Sequence, residues 1–213
     1  VAVPLLRTAR HGLRVVSVEQ DGHEGIAVRM RGRGIHRLRA RPGQFFVWRF
    51  LDGPGWSRGH PFSLAAAPTG DELVISARRV GDGTQRLSRL TAGTRVMIEG
   101  PYGAMTGERR QGTKLLMFGA GAGIAPLVAL LQAEDYAPGD AVLVTRDSTD
   151  VHGLRRREIS ELVATRGLVH YALDGARAPH GTVWLPASHA GWAGPELIRH
   201  IAPDLDAYDV FLC

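Results

Sequence analysis

The chain contains a single cysteine, Cys213, which is its last residue, and a single lysine, Lys114, among 26 basic residues. One cysteine excludes an internal disulfide, a Cys-x-x-Cys zinc site and a cysteine-ligated iron–sulfur cluster within these 213 residues. No apolar run approaches the roughly 20 residues of a membrane-spanning helix, and no signal peptide is visible. The net charge is +5, but the arginines are dispersed and no dense basic tract is interleaved with aromatics, so nucleic acid is not an expected partner. The histidines other than His60 (His11, His23, His36, His152, His170, His180, His189 and His200) show no metal-ligand spacing, and no resident metal is expected. The chain starts at Val1 without methionine and stops in an apolar run, Tyr208 to Cys213, so both ends read as cuts in something larger.

What is present is glycine in a telling place. Phe118-Gly119-Ala120-Gly121-Ala122-Gly123-Ile124-Ala125-Pro126 follows an apolar run that reads as a buried strand, and precedes a run that reads as a helix. Alternate glycines let the backbone turn sharply and leave room for a ligand. A helix opening on such a turn directs unpaired N–H groups and its positive dipole end outward, which suits a pyrophosphate. Pro126 fits the first helical turn, where its missing N–H costs nothing. The spacing is one residue short of the dinucleotide fingerprint, so a nucleotide site and a plain strand-to-helix turn both fit.

The first half reads as strands and turns. Leu13–Val18, Gly25–Met30, Gln44–Phe50, Leu73–Arg79 and Arg95–Glu99 are candidate strands, separated by Asp21-Gly22, Arg41-Pro42-Gly43, Asp52-Gly53-Pro54-Gly55 and Ala92-Gly93. Short strands at this spacing predict an antiparallel barrel or sandwich. Two stretches look chemical. In His60-Pro61-Phe62-Ser63 the proline stiffens the backbone, which could present Phe62 and Ser63 as a fixed plate and hydroxyl; a strand over Phe62–Ala66 with Phe62 in the core fits equally. Arg78-Arg79-Val80-Gly81-Asp82-Gly83-Thr84 leads into a short helix with Leu87 and Leu90 on one face, Thr84 as its N-cap and two arginines ahead of it. That is either a second anion site or only a capped helix.

From Gly112 the period changes. Strand-like Leu115–Phe118, Ala141–Thr145, Leu168–Leu173 and Tyr208–Cys213 alternate with helix-like Ala125–Ala133, Leu154–Ala164 and Pro195–Ile201, the middle helix with Ile159, Leu162 and Val163 on one face. Alternation of this kind predicts a parallel sheet covered on both sides, with ligands beyond its C-terminal strand ends. The second of these strands ends in Arg146-Asp147-Ser148. Arg146 suits the 2′-phosphate of NADP, with Ser148 and Arg155 as helpers, while Asp147 keeps NAD open.

These motifs, in this order, resemble the ferredoxin–NADP⁺ reductase superfamily over nearly the whole chain. Pro42-Gly43-Gln44-Phe45, His60-Pro61-Phe62-Ser63, Gly81-Asp82-Gly83-Thr84, Gly100-Pro101-Tyr102-Gly103, Gly119 to Pro126 and the terminal Cys213 each sit where the family has a motif. The resemblance implies an FAD-binding antiparallel β-barrel over residues 1–108 and an α/β parallel-sheet NAD(P)-binding domain over 109–213, incomplete at its C-terminus. By resemblance, Phe62 packs near the isoalloxazine, with Ser63 near its N5 edge and His60, after which Pro61 fixes the backbone, on the phosphate side. Arg78, Gly83 and Thr84 hold the flavin pyrophosphate. Gly119, Gly121, Gly123 and Ile124 form the nicotinamide-dinucleotide turn, Arg146 takes the 2′-phosphate and Cys213 stands near the nicotinamide. His60 in place of the usual arginine is similar to the branch of ferric reductases and NADPH oxidases. That branch implies an electron acceptor such as haem in an attached membrane domain, and a location at the cytoplasmic membrane face. A soluble reductase serving ferredoxin, free flavin or an oxygenase, and a non-catalytic flavin-binding regulatory module, remain alternatives.

Overall fold

The computed structural model describes residues 10–79, 81–149, 153–177 and 184–213, with Asp82 described by its backbone alone. Val80, His152 and His180 lie outside the described residues. The first half builds six antiparallel strands: β1 (Arg14–Asp21), β2 (Gly25–Arg31), β3 (Phe45–Phe50), β4 (His60–Ser63), β5 (Glu72–Arg78) and β6 (Val96–Tyr102). They form two three-stranded sheets, β1-β2-β5 and β4-β3-β6. Bridges between Arg14 and Arg95 and between Leu64 and Ile75 join the sheets at both sides, giving the expected barrel. Strand β3 shows why these residues fold this way. Phe46, Trp48 and Phe50 are buried, and Phe45, Val47 and Arg49 alternate with them on the other face. The Trp48 indole N–H donates to the Phe62 carbonyl at 2.9 Å, which satisfies a buried donor and fixes β3 to β4.

Strand β4 starts at His60, two residues ahead of the expected Phe62. His60 pairs with Trp48 and Pro61 with Val47. Proline has no N–H to give, and it is tolerated because β4 ends its sheet.

The second half forms a four-stranded parallel sheet in the order β10-β7-β8-β9, from β7 (Lys114–Ala120), β8 (Ala141–Arg146), β9 (Val169–Ala172) and β10 (Tyr208–Leu212). After α1 (Asp82–Leu87) in the barrel half, the helices here are α2 (Ile124–Ala133), α3 (Arg156–Arg166) and α4 (Gly194–Ile201). Two apolar cores cover the sheet. Leu115, Met117 and Leu143 pack against α2 and α3, while Leu116, Val142 and Val144 pack against α4. Ile159 and Leu162 face the first core as expected; Val163 does not, being 42% exposed. A 3.6-residue turn carries position 163 just off the buried stripe. The chain turns back between β7 and β10, so the switch in strand order falls at the end of β7. At the opposite end of β7, Lys114 Nζ lies 2.6 Å from Asp204 Oδ2. Among the described residues no helix is long and apolar enough to cross a membrane.

The two halves meet through small residues. Ala65 and Val74 of the barrel bury against Ala125 in the first turn of α2, and the Gln132 side chain accepts the Ala67 N–H at 3.1 Å. Beside this seam the β1–β2 hairpin reaches the start of α3. The buried Asp21 carboxylate accepts the Arg155 N–H at 2.7 Å and the Ser76 hydroxyl at 2.5 Å. Asp21→Ala leaves both donors unmet inside the seam and is expected to lower stability by about 1–3 kcal/mol. Ser17→Ala, which removes an exposed contact to Glu19, is expected to change it by less than about 0.5 kcal/mol. Urea denaturation of both variants checks the pair.

Candidate cofactor-binding site

On the barrel side, β4 and α1 bring the His60 motif to the Gly81–Thr84 turn. The His60 ring stacks beside Phe62 with centroids 6.2 Å apart and planes at 19°. It lies so close to Gly83 that a Cβ there would come within 2.8 Å of His60 Cε1. Burial lowers the imidazole pKa, with Arg58 and Arg86 adding to the effect and Asp52 opposing it, so His60 is neutral at pH 7. Ser63 is half-buried and stands opposite Phe45.

Thr84 is not the N-cap. Gly81 holds that position and Thr84 is the third residue of α1, its hydroxyl accepting the Gly81 N–H at 3.2 Å and donating to the Gly81 carbonyl at 2.9 Å. The helix starts earlier than expected because Thr84 closes the turn backwards onto Gly81. Arg86 is committed to a bidentate pair with Asp52, and Arg79 donates to the His23 carbonyl at 3.0 Å. Of the two arginines ahead of α1, Arg78 is the one at the junction of the two halves. It forms an ion pair with Asp147, and its Nη1 lies 3.8 Å from where a Gly121 Cβ would be.

On the sheet side, β7 runs into a 3-10 turn over Gly121–Gly123 and then α2. Gly121 has φ +55°, and a Cβ on Gly123 would lie 2.3 Å from the Cys213 carbonyl carbon, so both positions require glycine. The turn is locked to the end of β10 by Ala120 N–H to Cys213 O and Cys213 N–H to Phe118 O, both at 2.9 Å. Beside it opens a mainly apolar cleft of about 420 Å³ lined by Phe118, Gly119, Val144, Arg146, Trp184 and Cys213, among others. Its size, and Arg146 as the one cation among the described wall residues, suit the adenosine part of a nucleotide. The Cys213 residue is exposed on one side, yet desolvation raises its thiol pKa, which keeps it protonated at neutral pH.

The end of β8 separates the residues that the sequence places together. Arg146 lines the cleft, its Nε donating to the Trp184 carbonyl at 2.8 Å and its Nη1 to the Asp147 carbonyl. Asp147 is buried, and its Oδ1 accepts the Ser148 N–H at 2.7 Å. Ser148 therefore supports Asp147. Arg155 is not a helper of Arg146: it is 3% exposed, its guanidinium pairs with Glu158 at 2.9 Å, and its backbone is held by Asp21. Its position at the start of α3, against the barrel, explains the difference. Trp184, which stands edge-on to Phe118 at 6.3 Å, and the Arg78–Asp147 pair were not foreseen. Neither leaves a local pattern in the sequence. Two glycine-containing turns, with the Arg78 guanidinium beside Gly121 and an apolar cleft next to the second, suit the pyrophosphates of two dinucleotides.

Comparison with known proteins agrees. Residues 10–106 match the FAD-binding domain family. The chain is similar to a probable dihydroorotate dehydrogenase B (NAD(+)) electron transfer subunit of Thermococcus kodakarensis, 33% identical over 184 residues, 71% of this chain and 73% of that protein. It is also similar to respiratory burst oxidase homolog protein A of Solanum tuberosum, 31% identical over 153 residues, 60% of this chain and 16% of that protein. The chain spans about half or less of the length of most of the curated relatives it matches. In structure it is similar to the flavohem-like FAD/NAD binding domain of nitric oxide dioxygenase from Vibrio cholerae, with a TM-score of 0.69, 17% identity, and 96% and 87% of the two chains covered. That likeness shows the same fold. With motif order, barrel, parallel sheet and relatives in agreement, the chain belongs to the ferredoxin–NADP⁺ reductase superfamily as an FAD/NAD(P)-binding region.

Proposed function

We propose that this chain is the FAD-dependent NAD(P)H oxidoreductase module of a longer protein, with residues 1–108 carrying the flavin and 109–213 the nicotinamide nucleotide. The observation that carries this reading is the position of Arg78, which ends β5 three residues ahead of the Gly81–Thr84 turn and stands beside Gly121 of the second glycine turn. The chemistry that FAD would supply when bound is acceptance of a hydride from NAD(P)H and release of its two electrons one at a time, with the proton passing to solvent. The chain's part is to hold and orient. In this reading Phe62, which the β3–β4 pairing sets opposite Phe46 against the barrel core, and Ser63 border the isoalloxazine. His60, Gly83 and Thr84 border its phosphates, and Arg78 reaches them from the end of β5. Gly119, Gly121, Gly123 and Ile124 receive the second pyrophosphate, and Arg146 the 2′-phosphate. Cys213, protonated and locked to the glycine turn, borders the nicotinamide and excludes water from it.

The acceptor we favour is haem in a membrane domain of the same full-length chain, which puts this module at the cytoplasmic membrane face. His60 in the first flavin motif and the similarity to a respiratory burst oxidase homolog support it. A second reading, a reductase serving a separate redox protein, is favoured by the relative named as an electron transfer subunit. A multi-span, histidine-bearing segment ahead of Val1 in the full-length sequence distinguishes the first from the second.

The test of the core reading is anaerobic stopped-flow of the FAD-loaded protein with NADPH and with NADH, expecting flavin bleaching. Bound flavin that neither nucleotide bleaches would indicate a non-catalytic flavin module, and failure to take up FAD would sink the reading. Thr84→Ala is expected to weaken FAD affinity about tenfold by loosening the Gly81 turn, read by fluorescence titration. Arg146→Ala is expected to narrow the preference for NADPH over NADH by about tenfold or more through loss of a charge-assisted contact. Equal loss for both nucleotides in kcat/KM would remove Arg146 from the 2′-phosphate.

A further inference from the structure

The end of β8 carries charges of opposite sign on adjacent residues, and they compete for one ligand. A carboxylate at this place in a dinucleotide fold accepts the ribose hydroxyls of NAD, whereas an arginine suits the phosphate of NADP. Arg146 faces the cleft; Asp147 does not line it, and only 3% of Asp147 is exposed. Its Oδ2 meets the guanidinium of Arg78, a residue of barrel strand β5 that lies 69 positions earlier in the chain. Its Oδ1 is taken by the Ser148 N–H. Both carboxylate oxygens are thus engaged away from the cleft.

We infer that Arg78 is a positioning residue for nucleotide specificity: by binding Asp147 at the junction of the two halves, it keeps the carboxylate out of the ribose subsite and leaves Arg146 to set the charge there. This rests on the NAD(P)-binding reading above. A buried carboxylate stripped of its cation is strongly disfavoured, so without Arg78 the Asp147 side chain must take up a proton or turn to solvent. The neighbouring residue, Arg146, lines the cleft, and in this proposal the freed carboxylate turns toward it. There the carboxylate would accept a ribose 2′-hydroxyl and repel a 2′-phosphate. The barrel thereby selects the ligand of the opposite half of the chain through a contact that never touches it. The remote end of the same connection is tied to the barrel as well, by Asp21 on the Arg155 N–H, so the start of α3 cannot drift to compensate.

The test is calorimetric titration with 2′-phospho-AMP and with AMP, probes that need neither flavin nor nicotinamide. They are compared in the unaltered protein, Arg78→Gln, Arg78→Lys, Asp147→Asn and the Arg78→Gln/Asp147→Asn double variant. The unaltered protein is expected to prefer 2′-phospho-AMP. Arg78→Gln is expected to reduce that preference roughly tenfold, the size of one added like charge at several ångströms under protein screening. Arg78→Lys, which keeps the charge, is expected to retain it. The double variant, with no buried charge left to satisfy, is expected to regain it, which a merely structural loss would not allow. If Arg78→Gln weakens both probes equally, or if the double variant stays impaired, the inference is overturned and Arg78 serves only phosphates or stability. If Arg78→Gln does not fold, the Lys and double variants decide: a preference lost in both overturns the inference. Absence of binding of either probe to the unaltered protein would overturn the nucleotide reading itself, and a preference unmoved by Arg78→Gln would overturn this inference alone.

Discussion

Everything at the junction depends on how closely the first turn of α2 sits on the barrel. Ala125 buries against Ala65 and Val74, and no larger side chain intervenes. With the halves this close, a side chain from β5 stands beside Gly121 and reaches the end of β8. Larger residues at this seam would separate the halves by an ångström or more and cost strain besides. The burial pattern of β5, where five consecutive residues are inside, has the same origin: one face fills the barrel and the other meets α2 and its surroundings.

The local features were legible in the sequence. Strand and helix periodicity, the glycine spacing at 119–123 and the order of the short motifs depend on neighbours within about ten positions, and the barrel, the parallel sheet and the turn came out where they were expected. The errors have one cause. Thr84 as N-cap, Val163 as a core residue and Arg155 as a helper of Arg146 were each assigned from spacing alone, without the partner that overrules it: the Gly81 backbone, the exact edge of the buried stripe, and Asp21 at 134 positions' remove. Asp147, read from the sequence only as keeping NAD open, has a partner that no local pattern reveals, a cation from the other half of the chain.

The positive net charge has a different meaning in the structure than in the composition. Guanidinium groups cannot shed their proton, and here many of them are built into the framework beside acids: Arg110 with Glu134, Arg155 with Glu158, Arg86 with Asp52, Arg29 with Glu72. Arg110 also collects the carbonyls of Thr113 and Asp135 at the entry to β7. Arg146 differs, since carbonyl oxygens rather than a carboxylate hold it, so its charge is not cancelled locally. Among the described residues that line the cleft, Arg146 is the one cationic side chain.

Lys114 sits at the N-terminal end of β7, the far end of the strand from the glycine turn, with Asp204 at 2.6 Å and Asp140 at 3.8 Å. The bond from Asp204 raises its pKa and keeps the ammonium protonated. Acylating reagents attack only the free amine. The one lysine side chain in these 213 residues is therefore a poor nucleophile. An activated ester would react there slowly, and a tether so attached would leave the chain at the base of the sheet, the length of β7 away from the Gly121–Gly123 turn.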